Sequence, residues 1–164
     1  MILIALGANL SGAYGVPAQT LRAAEAEMRR RGLDILASSH IWKSAPVPFD
    51  AAQPWYYNAV VSVRTSLSPQ ALLALLLEIE RDFGRVRSVK NAARTLDLDL
   101  IAYHDEILTG PDLVLPHPRM SERAFVLRPL AEIAPEWVHP VSHKSLSDLI
   151  SGLPESQEIE VADD

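Results

Sequence analysis

Leucine and aspartate alternate without interruption through Leu96, Asp97, Leu98, Asp99 and Leu100. A two-residue period over this length predicts a β-strand. Residues 2–6 form a continuous apolar run, which predicts a buried strand with Gly7 marking its end. Leu21, Ala24 and Met28 recur at helical spacing between Pro17, suited to a first helical turn, and Gly32, suited to a helix stop. Residues 33–42 read as a second strand, ended by the proline-rich segment SAPVPFD, and residues 56–65 as a third. Ser68 and Pro69 supply an N-cap and a first-turn proline for a second helix. Its buried face is Leu72, Leu75, Leu76, Ile79 and Phe83, and Gly84 ends it. The alternating strand comes next, with Ile107 and Leu108 as a short partner strand. The remainder predicts a turn at LPHPR, a short helix over 122–127 limited by Pro129, and a last helix from Ser145 with Asp148 as capping partner.

Strand, helix, strand, strand, helix, strand is the order of the ferredoxin-like α+β fold. The expected architecture is an antiparallel sheet with helices packed on one face, followed by short C-terminal helices. Such a fold does not by itself specify a function. With 164 residues the chain reads as one domain, expected over 1–155, and residues 156–164 as a flexible acidic tail. Hydrophobic residues make up 48% of the chain, which argues against disorder. The absence of cysteine excludes a disulfide framework, a cysteine–zinc site and a thiol nucleophile. The opening MILIALGANL has no basic region and is too short to span a membrane. A soluble, cytoplasmic monomer with no membrane partner is therefore expected. The net charge of −6 disfavours nucleic-acid binding. Charge is uneven, however: Arg81, Arg85, Arg87, Lys90 and Arg94 crowd the segment before the two aspartates.

Alternation places Asp97 and Asp99 on one face of their strand. Like charges so close raise one another's pKa, and a hard divalent cation between them would remove the conflict. Mg²⁺ is commonly held by one or two carboxylates together with substrate phosphates. An isolated pair of this kind is more often a solvated acidic face, and a basic run is more often a solvated loop. Their combination suits a metal-bound polyphosphate.

LGANL, YYNAV, GRVR, RTLDLDLI and LPHPRMSERAFVLRPLAEIAP, in that order, resemble the 6-hydroxymethyl-7,8-dihydropterin pyrophosphokinase family over residues 2–135. The resemblance implies transfer of a pyrophosphoryl group from ATP to the pterin hydroxymethyl oxygen, with release of AMP, in folate biosynthesis. It implies small-molecule substrates only, ATP and the dihydropterin, and two Mg²⁺ ions held by Asp97 and Asp99. Arg87 and Arg94 match catalytic arginines that, with Glu80, His117 and Arg123, also match ATP-binding positions. For Glu80 a solvent-facing helix position is the competing expectation. Ser44, Ala45, Val47, Tyr56, Asn58 and Phe125 match the pterin pocket. Asn58 offers both a donor and an acceptor to the pyrimidine edge, and Phe125 is the stronger stacking candidate.

The chain departs from the family pattern at Asn91, where better-known members carry a tryptophan, and at Leu77, where many carry glutamine. Two rival readings remain at this level. One is a two-metal nucleotidyl transferase releasing pyrophosphate, and the other is a non-catalytic ferredoxin-like ligand-binding module. The first leaves YYNAV and the PHP segment unexplained, and the second gives no reason for a basic loop, an acidic pair and a late His–Arg segment together.

Overall fold

The computed structural model describes residues 1–9, 12, 14–45, 54–84, 95–154, 157 and 159–162. In chain order the elements are β1 (Ile2–Ala8), α1 (Pro17–Arg30), β2 (Asp34–Ser38), β3 (Trp42–Ser44), β4 (Tyr56–Arg64), α2 (Pro69–Asp82) and β5 (Asp97–Tyr103). They continue with β6 (Leu108–Thr109), β7 (Val114–Leu115), a 3-10 turn (Met120–Glu122), α3 (Ala124–Ile133), α4 (Leu146–Ser151) and β8 (Ile159–Val161). The main sheet runs β5-β1-β4-β3-β8, and β2 also pairs with β4. Its pairings are antiparallel. This is the ferredoxin-like arrangement that the element order implies. Among the described residues no helix is long and apolar enough to cross a membrane.

β1 is buried along its whole length because it lies between β4 and β5 and is covered on both faces. Ile2, Ile4 and Leu6 join the core formed with Leu21 and Met28 of α1 and Leu72, Leu76 and Ile79 of α2. Leu3 and Ala5, on the other face, join Val60 of β4, Val126, Leu127 and Leu130 of α3, and Leu146 and Leu149 of α4. Helices therefore cover both faces, not one. A continuous apolar run is the mark of a strand buried on both sides, and β1 carries that mark.

Several element boundaries differ from the sequence pattern. β1 continues through Gly7 instead of ending there. The single strand expected over 33–42 is two strands, β2 and β3, broken at Ser39. Ser39 N–H donates to the Val60 carbonyl (2.9 Å), while the Ser39 hydroxyl accepts from Val60 N–H (3.0 Å) and replaces a backbone acceptor. The helix expected to stop before Pro129 runs through it to Ile133, with Pro129 itself buried. Burial of Val126, Leu127 and Leu130 against the sheet offsets the helical bond that proline cannot make. Leu108 pairs with Leu115 of β7, forming a small separate sheet. The tail expected to fray contributes β8, whose Ile159, Glu160 and Val161 pair with Ser44, Lys43 and Trp42.

The starts of α2 and α4 and the ends of α1 and α2 follow local chemistry. Ser68 Oγ accepts from Ala71 N–H (3.1 Å), and Ser145 Oγ accepts from Asp148 N–H (3.2 Å). Gly32 and Gly84 follow α1 and α2 at φ of 97° and 88°, a region that side-chain-bearing residues disfavour.

Candidate active site

Strand register decides which side chains share a face. Gly7 lies opposite both Asp97 on β5 and Asn58 on β4. Asn58 in turn lies opposite Trp42, Ala5 opposite Asp99, and Ser44 opposite Tyr56. Opposed residues and next-but-one residues project to the same side of a sheet. Asp97, Asp99, Asn58, Tyr56, Ser44 and Trp42 therefore share the face that α3 covers. Leu98 and Leu100 point the other way, into the core under α1 and α2.

Gly7 is the centre of this row. A Cβ built there would meet Asn58 Nδ2 at 2.8 Å, so the bare backbone makes room for the amide. Asn58 is buried, and its Oδ1 has no hydrogen-bond partner among the described residues. A buried acceptor without a partner is uncommon in folded proteins.

His117 enters from the turn after β7. Its backbone N–H donates to the Ile101 carbonyl (2.8 Å), and its ring Nδ1 accepts from the Arg119 backbone N–H (3.2 Å). Nδ1 is an acceptor, so the neutral imidazole carries its proton on Nε2. Burial pushes the imidazole pKa from 6.5 down to about 4, with Arg123 and Arg119 acting in the same sense and Asp97 opposing. His117, Arg123 and Asp97 thus interact electrostatically. The Arg123 guanidinium lies 5.4 Å from the centre of the Phe125 ring, the aromatic at the start of α3.

Glu80 is not solvent-facing: it is 1% exposed, and its Oε2 accepts from Leu98 N–H at 2.7 Å. This bond ties the end of α2 to the strand residue between the two aspartates. Ser44 is buried, and Ala45, Tyr56 and Phe125 are half-buried. Val47, Arg87, Arg94 and Asn91 lie outside the described residues. Asp97 and Asp99 are half-buried. Their carboxylate oxygens are hard donors of the kind Mg²⁺ takes, with other positions left to water and phosphate. Among the described residues no group of three or more His, Asp or Glu side chains gathers, so two carboxylates would form an open site there, not a closed cage.

Residues 3–135 match the family model of 7,8-dihydro-6-hydroxymethylpterin-pyrophosphokinase (HPPK). The chain belongs to the HPPK family. That membership makes it a pyrophosphokinase of folate biosynthesis and sets aside the non-catalytic reading. The pyrophosphokinase of Synechocystis sp. is 46% identical over 143 residues, covering 87% of this chain and 72% of the relative. The folic acid synthesis protein fol1 of Pneumocystis carinii is 39% identical over 146 residues, covering 89% of this chain but 19% of that longer protein. Among solved structures, the HPPK-DHPS of Plasmodium falciparum superposes with a TM-score of 0.70 at 13% identity. That alignment covers 92% of this chain and 40% of the other, a likeness of fold.

Other contacts on this face escape the sequence patterns. On α3, Glu132 holds β3 through both the Trp42 indole N–H and His40 Nδ1, the latter at 2.5 Å. Pairing with His40 and Trp42 keeps the Glu132 carboxyl below its ordinary pKa, against the opposing effect of burial. Helical spacing puts Glu132 two turns after Phe125, and strand alternation puts Trp42 on the face of Ser44. Nothing in the linear chain says that the two faces meet.

Proposed function

We propose that this chain transfers the β,γ-pyrophosphoryl group of ATP to the hydroxymethyl oxygen of 6-hydroxymethyl-7,8-dihydropterin. The hydroxymethyl oxygen attacks the β-phosphorus, the bond from that phosphorus to the bridging oxygen of AMP breaks, and the hydroxyl proton is released. The observation that carries the reading is the row Asp97–Gly7–Asn58, which sets an acidic pair beside a buried amide with an open acceptor. Family membership supplies the reaction class.

In this reading Asn58 Oδ1 accepts from the amino edge of the pterin, and Phe125 and Tyr56 flank its ring. Ser44 and Ala45 line the same pocket, and Val47 is assigned to it by the family resemblance alone. Asp97 and Asp99 would hold Mg²⁺ beside the triphosphate. Mg²⁺ bound there neutralises charge on the transferring group and lowers the cost of activating the hydroxyl. His117 donates from Nε2 to a phosphate oxygen as a neutral imidazole, and Arg123, Arg87 and Arg94 add planar, permanently charged donors. Glu80 fixes β5 through Leu98 N–H, and positions the aspartates whether or not it also touches the nucleoside.

Product identity tests the reading. With Mg²⁺, ATP and the dihydropterin, AMP is expected, and it is lost in Asp97→Asn and Asp99→Asn while the fold, followed by circular dichroism, is kept. ADP as the product, or pyrophosphate release, would overturn it. Asn58→Ala is expected to weaken pterin binding far more than ATP binding in calorimetric titrations, and equal losses would make Asn58 a folding residue.

A further inference from the structure

α3 begins at a residue poorly suited to begin a helix. Its N-cap is Arg123, at φ −114° and ψ 106°, and the Arg123 side chain makes no capping hydrogen bond. Serine, threonine, aspartate and asparagine are the residues that cap well, and a cation at a helix N-terminus opposes the helix dipole. α2 and α4 follow the rule with Ser68 and Ser145. α3 breaks it at a position beside the site described above.

The missing cap comes from the far end of the chain. Gln157 Oε1 accepts from Ala124 N–H at 2.9 Å, the first residue of α3. Gln157 Nε2 donates to the Glu122 carbonyl at 2.8 Å. One side-chain amide therefore holds the backbone on both sides of Arg123. Gln157 is itself anchored. Two residues later β8 begins, pairing Ile159 with Ser44 and Val161 with Trp42, and Ala162 N–H donates to the Ile41 carbonyl at 2.8 Å. The same short segment thus binds the strand that carries Ser44 and the helix start that carries Arg123 and Phe125.

We propose that Gln157 is a positioning residue, which caps α3 from a distance and thereby fixes Arg123 and Phe125 for the two substrates. Position 123 then carries a guanidinium for phosphate where a helix alone would call for a short capping side chain. The inference rests on the roles given above to Arg123 and Phe125. It makes Gln157 a support of the helix start that carries Arg123 and Phe125, acting through that backbone and not on the substrates.

The test compares Gln157→Ala, Gln157→Glu and Glu160→Ala in the full chain. Glu160 lies on the same segment and pairs with Lys43 (3.3 Å) on β3, away from the cap. Gln157→Ala is expected to raise KM for ATP and for the dihydropterin by about tenfold, roughly the loss of one or two hydrogen bonds, with a smaller change in kcat. Gln157→Glu keeps an acceptor for Ala124 N–H and is expected to recover part of that loss. Glu160→Ala is expected to match the unsubstituted chain. Unchanged KM values in Gln157→Ala, or equal changes in Gln157→Ala and Glu160→Ala, would overturn the proposal. Hydrogen exchange at the Ala124 amide supplies a readout independent of turnover. It should accelerate by about tenfold in Gln157→Ala while the β1 amides keep their rates. If the unsubstituted chain forms no pterin-dependent AMP, the substrate reading falls by itself. Ala124 exchange then still decides whether Gln157 holds the helix start, and an unchanged rate there refutes it.

Discussion

Gly7 lacks a side chain at the one position where a methyl group would strike the Asn58 amide, 2.8 Å away. Gly7→Ala is therefore expected to displace the amide and weaken dihydropterin binding by about tenfold or more. The overpacked site should also lose ~1–3 kcal/mol of stability. Calorimetry with the dihydropterin checks the first effect and urea unfolding the second. Wild-type affinity in Gly7→Ala would mean that the Asn58 amide is held by something other than this clearance. His117 is the second residue whose behaviour follows from its surroundings. Its folded-state pKa of about 4 lies below the ordinary 6.5, so the unfolded chain binds the proton first as pH falls. The stability contributed by the neutral imidazole is thus present above about 6.5 and is lost as pH falls toward about 4. Titration of the His117 ring by NMR in metal-free protein should show a neutral imidazole protonated on Nε2 at pH 6. A midpoint near 6.5 would refute this.

At the scale of elements, the caps of α2 and α4 and the stops of α1 and α2 are written locally, whereas the start of α3 and the ends of strands are not. Ser68, Ser145, Gly32 and Gly84 act where the sequence pattern puts them, because each satisfies or terminates a helix through its own side chain or backbone. Pro129 and Ser39 mislead. Pro129 is tolerated because α3 is driven onto the sheet by its buried neighbours, and Ser39 breaks a strand because its hydroxyl takes a ladder position. Glu80 joins two elements, and its substitution separates two roles. Glu80→Ala leaves the Leu98 N–H without this acceptor and should lose ~1–3 kcal/mol, with Glu80→Gln retaining most of it. Denaturant unfolding measures the loss. Unchanged stability in Glu80→Ala with a raised KM for ATP would instead make Glu80 a nucleotide contact and not a strand anchor.

For the whole molecule, the central sheet is shared by the two cores of the described residues, one under α1 and α2 and the other under α3 and α4. Residues of β1 alternate between them, so neither core forms without the same strand. One cooperative unfolding transition is expected as a result. Leu72→Ala in the first core and Leu127→Ala in the second should each lower it by ~2–5 kcal/mol without splitting it. Calorimetric and van't Hoff enthalpies that disagree would show two units. The candidate site lies on the second core's face, against which Phe125 at the start of α3 packs.

The sequence by itself determined the types of the principal elements up to β5, the paired aspartates on one strand face and the family to which the chain belongs. These depend on spacing along the chain: a two-residue period, a helical period, capping residues and motif order. Tertiary structure alone decided that helices cover both faces, that Glu80 turns inward to Leu98, and that the acidic tail supplies β8. It also decided that Gly7 lies between Asp97 and Asn58 and that Gln157 reaches the start of α3. Each of these joins residues far apart in the chain. Register and packing bring them together, and no local pattern of charge or hydrophobicity records where a distant partner will fall.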